Sequence, residues 1–187
     1  MKRMDDLIDI FLQPGELFVG DQNYQIRTIL GSCVSITLWH AQLRMGGMSH
    51  FLLPRRGGAQ SQAAPELDGH YGDEALQLML DELQRYGVRA QDCEAKIFGG
   101  GNMFPGHERA GSTLVGQRNG EAARELLLAR GIPLLSESLF GNGHRQIIFD
   151  VSNGDVWSRQ IAPSAPAALP PGAAASGAAG RPEQDLP

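Results

Sequence analysis

The chain has 187 residues, a net charge of -5 and a pI near 5.5, which is length enough for one domain with its own core plus some excess. Binding to a phosphate backbone needs a positive face, and no run rich in Lys and Arg is present, so nucleic acid is excluded as an expected partner. The apolar runs fall far short of the roughly 20 residues that cross a bilayer, and Asp5, Asp6 and Asp9 sit where a signal peptide needs its apolar centre, so a cytoplasmic protein without membrane insertion is expected.

At the amino terminus Leu7, Ile8, Ile10, Phe11 and Leu12 predict a short amphipathic helical turn that stops before Pro14. "YQIRTIL" and "CVSITLW" are β-branched and aromatic runs, "HAQL" is a turn, and "MGGMSHFLL" resumes the alternation up to Pro54, which reads as antiparallel strands. "RRGGAQSQAAPELDG" has neither periodicity nor apolar weight and is expected to be a long surface loop. In "GDEALQLMLDELQRYG" the positions Ala75, Leu76, Met79, Leu80 and Leu83 form one stripe, the signature of a helix, with Gly87 as its stop.

"CEAKIFGGG" predicts a strand running into three glycines, "GQRNGEAARELLLARG" a second helix stopped by Gly131, and "IPLLSES" a further strand. "RQIIFDV" and "DVWSRQI" flank Ser152-Asn153-Gly154, where Asn-Gly predicts a tight hairpin turn. From Pro163 the chain turns to Pro, Ala, Gly and Ser. The expected division is therefore a domain over residues 1–162 and a disordered tail over 163–187, because such a composition cannot offset the entropy of ordering itself.

Cys33 and His50 are the residues of chemical interest, and the two cysteines of a cytoplasmic chain are expected to stay reduced. If residues 28–39 and 44–53 form a hairpin about "HAQL", its centre falls between Ala41 and Gln42, and Cys33 stands opposite His50 on the same face. A thiol beside an imidazolium can be a thiolate, the reactive form, and the imidazole can protonate a leaving ammonia. The amides around Gly31-Ser32-Cys33 are then candidate donors for an oxyanion. The same residues have plainer readings. A cysteine in a strand is by default a small buried hydrophobe, the Gly99–Gly101 run lacks the frame of a phosphate loop, and Gly46-Gly47 fits a bulge or a close-packing site. A zinc site from Cys33, His40, His50 and Cys93 has no supporting spacing.

Four ordered blocks, "LGSCVSITLW", "GGMSHFLLP", "AKIFGGGNMF" and "VGQRN", resemble the CheD family of chemoreceptor glutamine deamidases, over roughly Gly20 to Ile161. The resemblance implies a layered α/β sandwich with mixed, largely antiparallel sheets and two main helices. It implies hydrolysis of selected glutamines to glutamate on the cytoplasmic helical region of methyl-accepting chemotaxis proteins, a CheC-type phosphatase as a further partner, and no metal or organic cofactor.

Carried over by position, Cys33 matches the nucleophile, His50 the general base and acid, and Thr28 the threonine that positions the histidine. In the family pattern that threonine can lie one residue farther from the cysteine, where this chain has Arg27. An offset of five in a flat strand would turn Thr28 away from Cys33, and a bulge or turn at Gly31-Ser32 would restore the facing. Asn102 has two readings, orienting a substrate amide or holding its loop, and Arg118-Asn119 is expected to cap or anchor the second helix.

Overall fold

A computed structural model describes residues 7–57, 66–107 and 114–161. The chain-order elements are β1 (Ile8–Phe11), β2 (Leu17–Asp21), β3 (Tyr24–Leu30), β4 (Val34–His40), β5 (Met45–Ser49), α1 (Gly72–Arg85), β6 (Glu94–Gly99), α2 (Val115–Ala129), β7 (Leu134–Leu139), β8 (His144–Asp150) and β9 (Asp155–Ile161). They form a four-stranded sheet in the order β1-β3-β8-β9 and a five-stranded sheet in the order β2-β5-β4-β6-β7. Among the strands described, only β1–β3 and β6–β7 pair in parallel. This is the layered α/β sandwich with mixed, largely antiparallel sheets that the family resemblance implied.

Two apolar layers hold it together. Val34, Ile36 and Leu38 of β4 and Ala95 and Ile97 of β6 pack against Ala75, Leu76, Met79 and Leu83 of α1 and Ala123 and Leu127 of α2. Ile26 and Leu30 of β3, Ile147 and Phe149 of β8, and Met48 of β5 fill the space between the sheets. The five-stranded sheet is thus covered on both faces, by helices on one side and by the second sheet on the other. This explains why Val34 to Leu38 is buried without alternation. All five stripe residues predicted for α1 are buried, and both helices stop at glycines with positive φ, Gly87 (79°) and Gly131 (65°).

Three expectations are corrected. The amino-terminal segment is the edge strand β1, not a helical turn: Ile8, Ile10 and Phe11 extend along β3, Asp9 pairs with Arg27 and Gln25, and Leu12 is buried. Five residues cannot sustain a helix against a waiting sheet edge. The turn after β4 is Ala41–Arg44 rather than "HAQL", because Arg44 takes a left-handed φ of 49° and His40 pairs with Met45. The final hairpin closes with Asp150 opposite Asp155, so its turn spans residues 151–154, and of the Asn-Gly pair only Gly154 has positive φ (80°). The proposed tail 163–187 and most of the loop after Gly57 lie outside the described residues.

Candidate active site

The shifted turn changes how Cys33 and His50 meet. In the register of β4 and β5, Thr37 lies opposite Met48, and the Val34–Phe51 bridge extends that register to the start of β4. His50 therefore stands across from Ser35 and Cys33 across from Leu52, so the two are diagonal neighbours rather than a facing pair. Both point the same way, into the space between the sheets: Cys33 packs against the intersheet layer, and His50 reaches the other sheet. Among the described residues no hydrogen bond joins the Cys33 thiol to the His50 ring.

Thr28 comes from the opposing sheet. It is on the inner face of β3, and its Oγ1 lies 2.7 Å from His50 Nδ1. The flat-strand objection does not apply, because Leu30 to Cys33 carries the chain from the four-stranded sheet to the five-stranded one. Thr28 and Cys33 belong to different sheets that face each other. Thr28 donates its hydroxyl proton to the Leu12 carbonyl at 2.8 Å. With that single proton committed, Oγ1 can only accept from the ring, so Nδ1 carries the imidazole proton and Nε2 holds the free lone pair.

Burial sets the resting charges. His50 is 3% exposed, and loss of water drives its pKa down to about 4, against the Leu12 carbonyl and Glu16, which favour the charged ring. Burial also raises the half-buried Cys33 thiol, with its own backbone amide pulling the other way. The resting pair is a neutral thiol and a neutral imidazole rather than the thiolate and imidazolium of the sequence reading.

The loop carrying Cys33 is pinned from three sides. Gly100 and Gly101 donate from their amides to the Cys33 and Gly31 carbonyls, each at 2.8 Å. Gly99 has φ 116° and lies so close that a β-carbon there would stand 2.2 Å from the Cys33 carbonyl oxygen. The three glycines are thus a backbone-to-backbone seat, not a phosphate cradle. Arg145, buried in β8, secures the far side of this seat by donating to the Gly99 and Phe140 carbonyls at 2.8 and 2.9 Å. Asn119 is inside α2 and does not cap it; its amide donates to the Ser32 and Leu52 carbonyls.

By contrast, the amides of Gly31 and Ser32 have no acceptor among the described residues, and the Cys33 amide faces its own thiol. Unpaired main-chain donors next to a thiol are the groups that an oxyanion needs. Asn102 accepts from the Phe104 amide through Oδ1 and exchanges main-chain bonds with the 141–143 turn. Together with Gly100, Gln117, Phe140 and Asn142 it lines a cavity of about 360 Å³. Cys93 sits in the helix-facing layer and His40 at the remote end of β4, and among the described residues no three His, Cys, Asp or Glu side chains gather as a metal site.

The sequence missed the Leu12 carbonyl, which no side-chain pattern announces. It had a signal for Asn119 and misread it: the buried positions of α2 are Gly116, Asn119, Gly120, Ala123, Leu126 and Leu127, so a polar residue stands in the apolar stripe.

Fold and site together define a helix-backed double-sheet protein with a thiol, an imidazole and a hydroxyl converging at the seam between its sheets. The profile of the CheD family, described as chemotactic sensory transduction, matches residues 52–160. The chain belongs to the CheD family. It is 66% identical over 163 residues, 87% of this chain and 93% of the relative, to a probable chemoreceptor glutamine deamidase CheD 2 of Albidiferax ferrireducens. A stretch that long necessarily takes in Thr28 through His50. It is 44% identical to a probable chemoreceptor glutamine deamidase CheD 1 of Chromobacterium violaceum over 81% of this chain and 77% of that one. It is also 44% identical to a CheD 3 of Dechloromonas aromatica with the same kind of name, over 81% of this chain and 87% of that one. Among the described residues no helix is long and apolar enough to cross a membrane.

Proposed function

We propose that this protein is a cytoplasmic protein-glutamine deamidase that converts selected glutamines of methyl-accepting chemotaxis receptors to glutamate, with Cys33 as nucleophile, His50 as base and acid, and Thr28 as the residue that orients His50. The observation that carries the reading is the Thr28–His50 contact, which fixes the imidazole tautomer in the space between the sheets against which the half-buried Cys33 also packs. The names of the relatives supply the substrate class.

Nε2 of His50 takes the thiol proton as the sulfur attacks the side-chain amide carbon. The new C–S bond forms as the carbonyl π electrons move to oxygen, and the Gly31–Cys33 amides receive the oxyanion. When the C–N bond breaks, the imidazolium returns the proton to nitrogen and ammonia leaves, with a thioester remaining. A water then gives its proton to Nε2 and attacks the thioester, and the sulfur departs as a thiol with that proton. Because the ring is neutral at rest, it is ready to act as base at neutral pH. Cys33 packs against the intersheet layer and stays only half-buried, which suits a side chain presented by a long helix.

The decisive test incubates the full chain with the cytoplasmic part of a receptor from the same organism and follows amide-to-acid conversion at each glutamine by mass spectrometry. Conversion is expected from the wild type, none from Cys33→Ala or His50→Ala, and roughly tenfold to a hundredfold less from Thr28→Val. Conversion that survives in Cys33→Ala rules out the thioester route, and receptor binding without conversion by any variant replaces catalysis with docking.

A further inference from the structure

Asn119 is the one polar side chain in the α2 stripe with no exposed surface, and the protein does not satisfy it fully. Its Nδ2 donates to the Ser32 carbonyl at 3.0 Å and the Leu52 carbonyl at 2.8 Å, while its Oδ1 is buried without a partner among the described residues. The assignment of the amide is fixed by its surroundings, since two carbonyl oxygens require two donors. An orphaned buried acceptor is a standing cost that an apolar side chain would avoid. What the amide gains for that cost is its position.

Val34 and Phe51 exchange the last pair of ladder bonds between β4 and the strand carrying His50 (3.1 and 3.0 Å), and beyond them the two chains separate. Leu52 and Leu53 turn away to donate to the His70 carbonyl, and Gly101 takes the Gly31 carbonyl. Asn119 enters at this fork and bonds to both prongs. One of its carbonyls belongs to the residue before Cys33, and the other to the second residue after His50. No other described side chain bonds to both prongs.

We infer that Asn119 is a positioning residue for the reaction: its amide replaces the missing ladder rungs and fixes the distance between the Cys33 and His50 main chains. The inference rests on the proposed Cys33–His50 chemistry, and its content is specific. Loss of Asn119 should act through the Cys33–His50 relation and not through general loosening. With the clamp gone, the thiol drifts from the base while the helix and both sheets remain.

The test measures alkylation of Cys33 by iodoacetamide at pH 7, read on the Cys33 peptide by mass spectrometry, alongside receptor deamidation. The variants are Asn119→Ala, His50→Ala, the double variant, Asn119→Ser in case the alanine variant does not fold, and Leu127→Val as a change on the same buried stripe away from the clamp. Asn119→Ala is expected to slow Cys33 alkylation and deamidation kcat by about tenfold to a hundredfold with KM within about twofold, and to slow alkylation by less than about twofold when His50 is already alanine. Asn119→Ser should fall between, and Leu127→Val should match the wild type. An equal loss with and without His50, or wild-type rates in folded Asn119 variants, overturns the inference. Deamidation retained by Cys33→Ala overturns the catalytic reading beneath it instead.

Discussion

A histidine whose pKa is pushed down to about 4 commits the molecule to a definite response to acid. Free imidazole titrates near 6.5, so between roughly pH 6.5 and 4 the unfolded chain binds a proton at this position and the folded chain does not. Stability from this group is therefore complete above pH 6.5 and falls as the pH drops toward 4, by an amount on the order of 3 kcal/mol. Urea unfolding at a series of pH values should show this loss, and His50→Ala should flatten that part of the curve. In the active protein kcat/KM should hold from pH 7 to about 5 and fall with a midpoint near 4. An acid limb centred at 6.5 or above would mean that the working ring is solvated. Cys33, His50 and Thr28 were legible as candidates, Thr28 through the family resemblance, and all three lie at the seam between the sheets. Their geometry was not, because the tautomer depends on the Leu12 carbonyl, a main-chain atom sixteen residues from Thr28.

Elements explain where the reading succeeded and where it slipped. The α1 stripe was legible because period 3.6 over fourteen residues has no competing explanation, and the strands of the central sheet were legible from their β-branched runs. The hairpin register was not, since "HAQL" and "AQLR" are equally polar and only the left-handed backbone of Arg44 decides between them. A slip of one residue in the turn moved His50 from the position facing Cys33 to a diagonal one and kept it on the same face. The glycine run carries an element-scale prediction. Gly99 has φ 116° and no room for a β-carbon against Cys33, so Gly99→Ala should destabilise the fold by about 1–3 kcal/mol and depress deamidation further than that loss explains. Gly57, with nothing among the described residues within 4 Å of its ideal β-carbon, is the control: Gly57→Ala should change stability by less than about 0.5 kcal/mol and leave turnover intact. Chemical denaturation and receptor deamidation on the two variants separate these outcomes.

At the scale of the whole molecule the site belongs to neither sheet. Thr28 comes from the four-stranded sheet, Cys33 and His50 from just beyond the ends of the interior strands β4 and β5 of the five-stranded one, and Leu12 from the strand-to-strand connection after β1, so their alignment depends on how the two sheets are seated on each other. The helix layer on the far side packs on residues beside the site, at Phe51 and at Gly100 and Gly101, and Asn119 is its side chain bonded to both segments that carry Cys33 and His50. Cavities of similar cost in the two layers should therefore have different consequences. Phe149→Ala opens the layer between the sheets and Leu83→Ala the layer beneath α1, both at fully or almost fully buried positions, and each should lower stability by about 3–5 kcal/mol. Measured well below their melting temperatures, where both variants stay folded, Phe149→Ala should lose turnover by an order of magnitude or more because Thr28 and His50 no longer meet at one distance. Leu83→Ala should keep kcat within about twofold of the wild type under the same conditions. Equal turnover losses in the two would show that catalysis follows global stability, and would remove the sheet seam as the feature that organises the site.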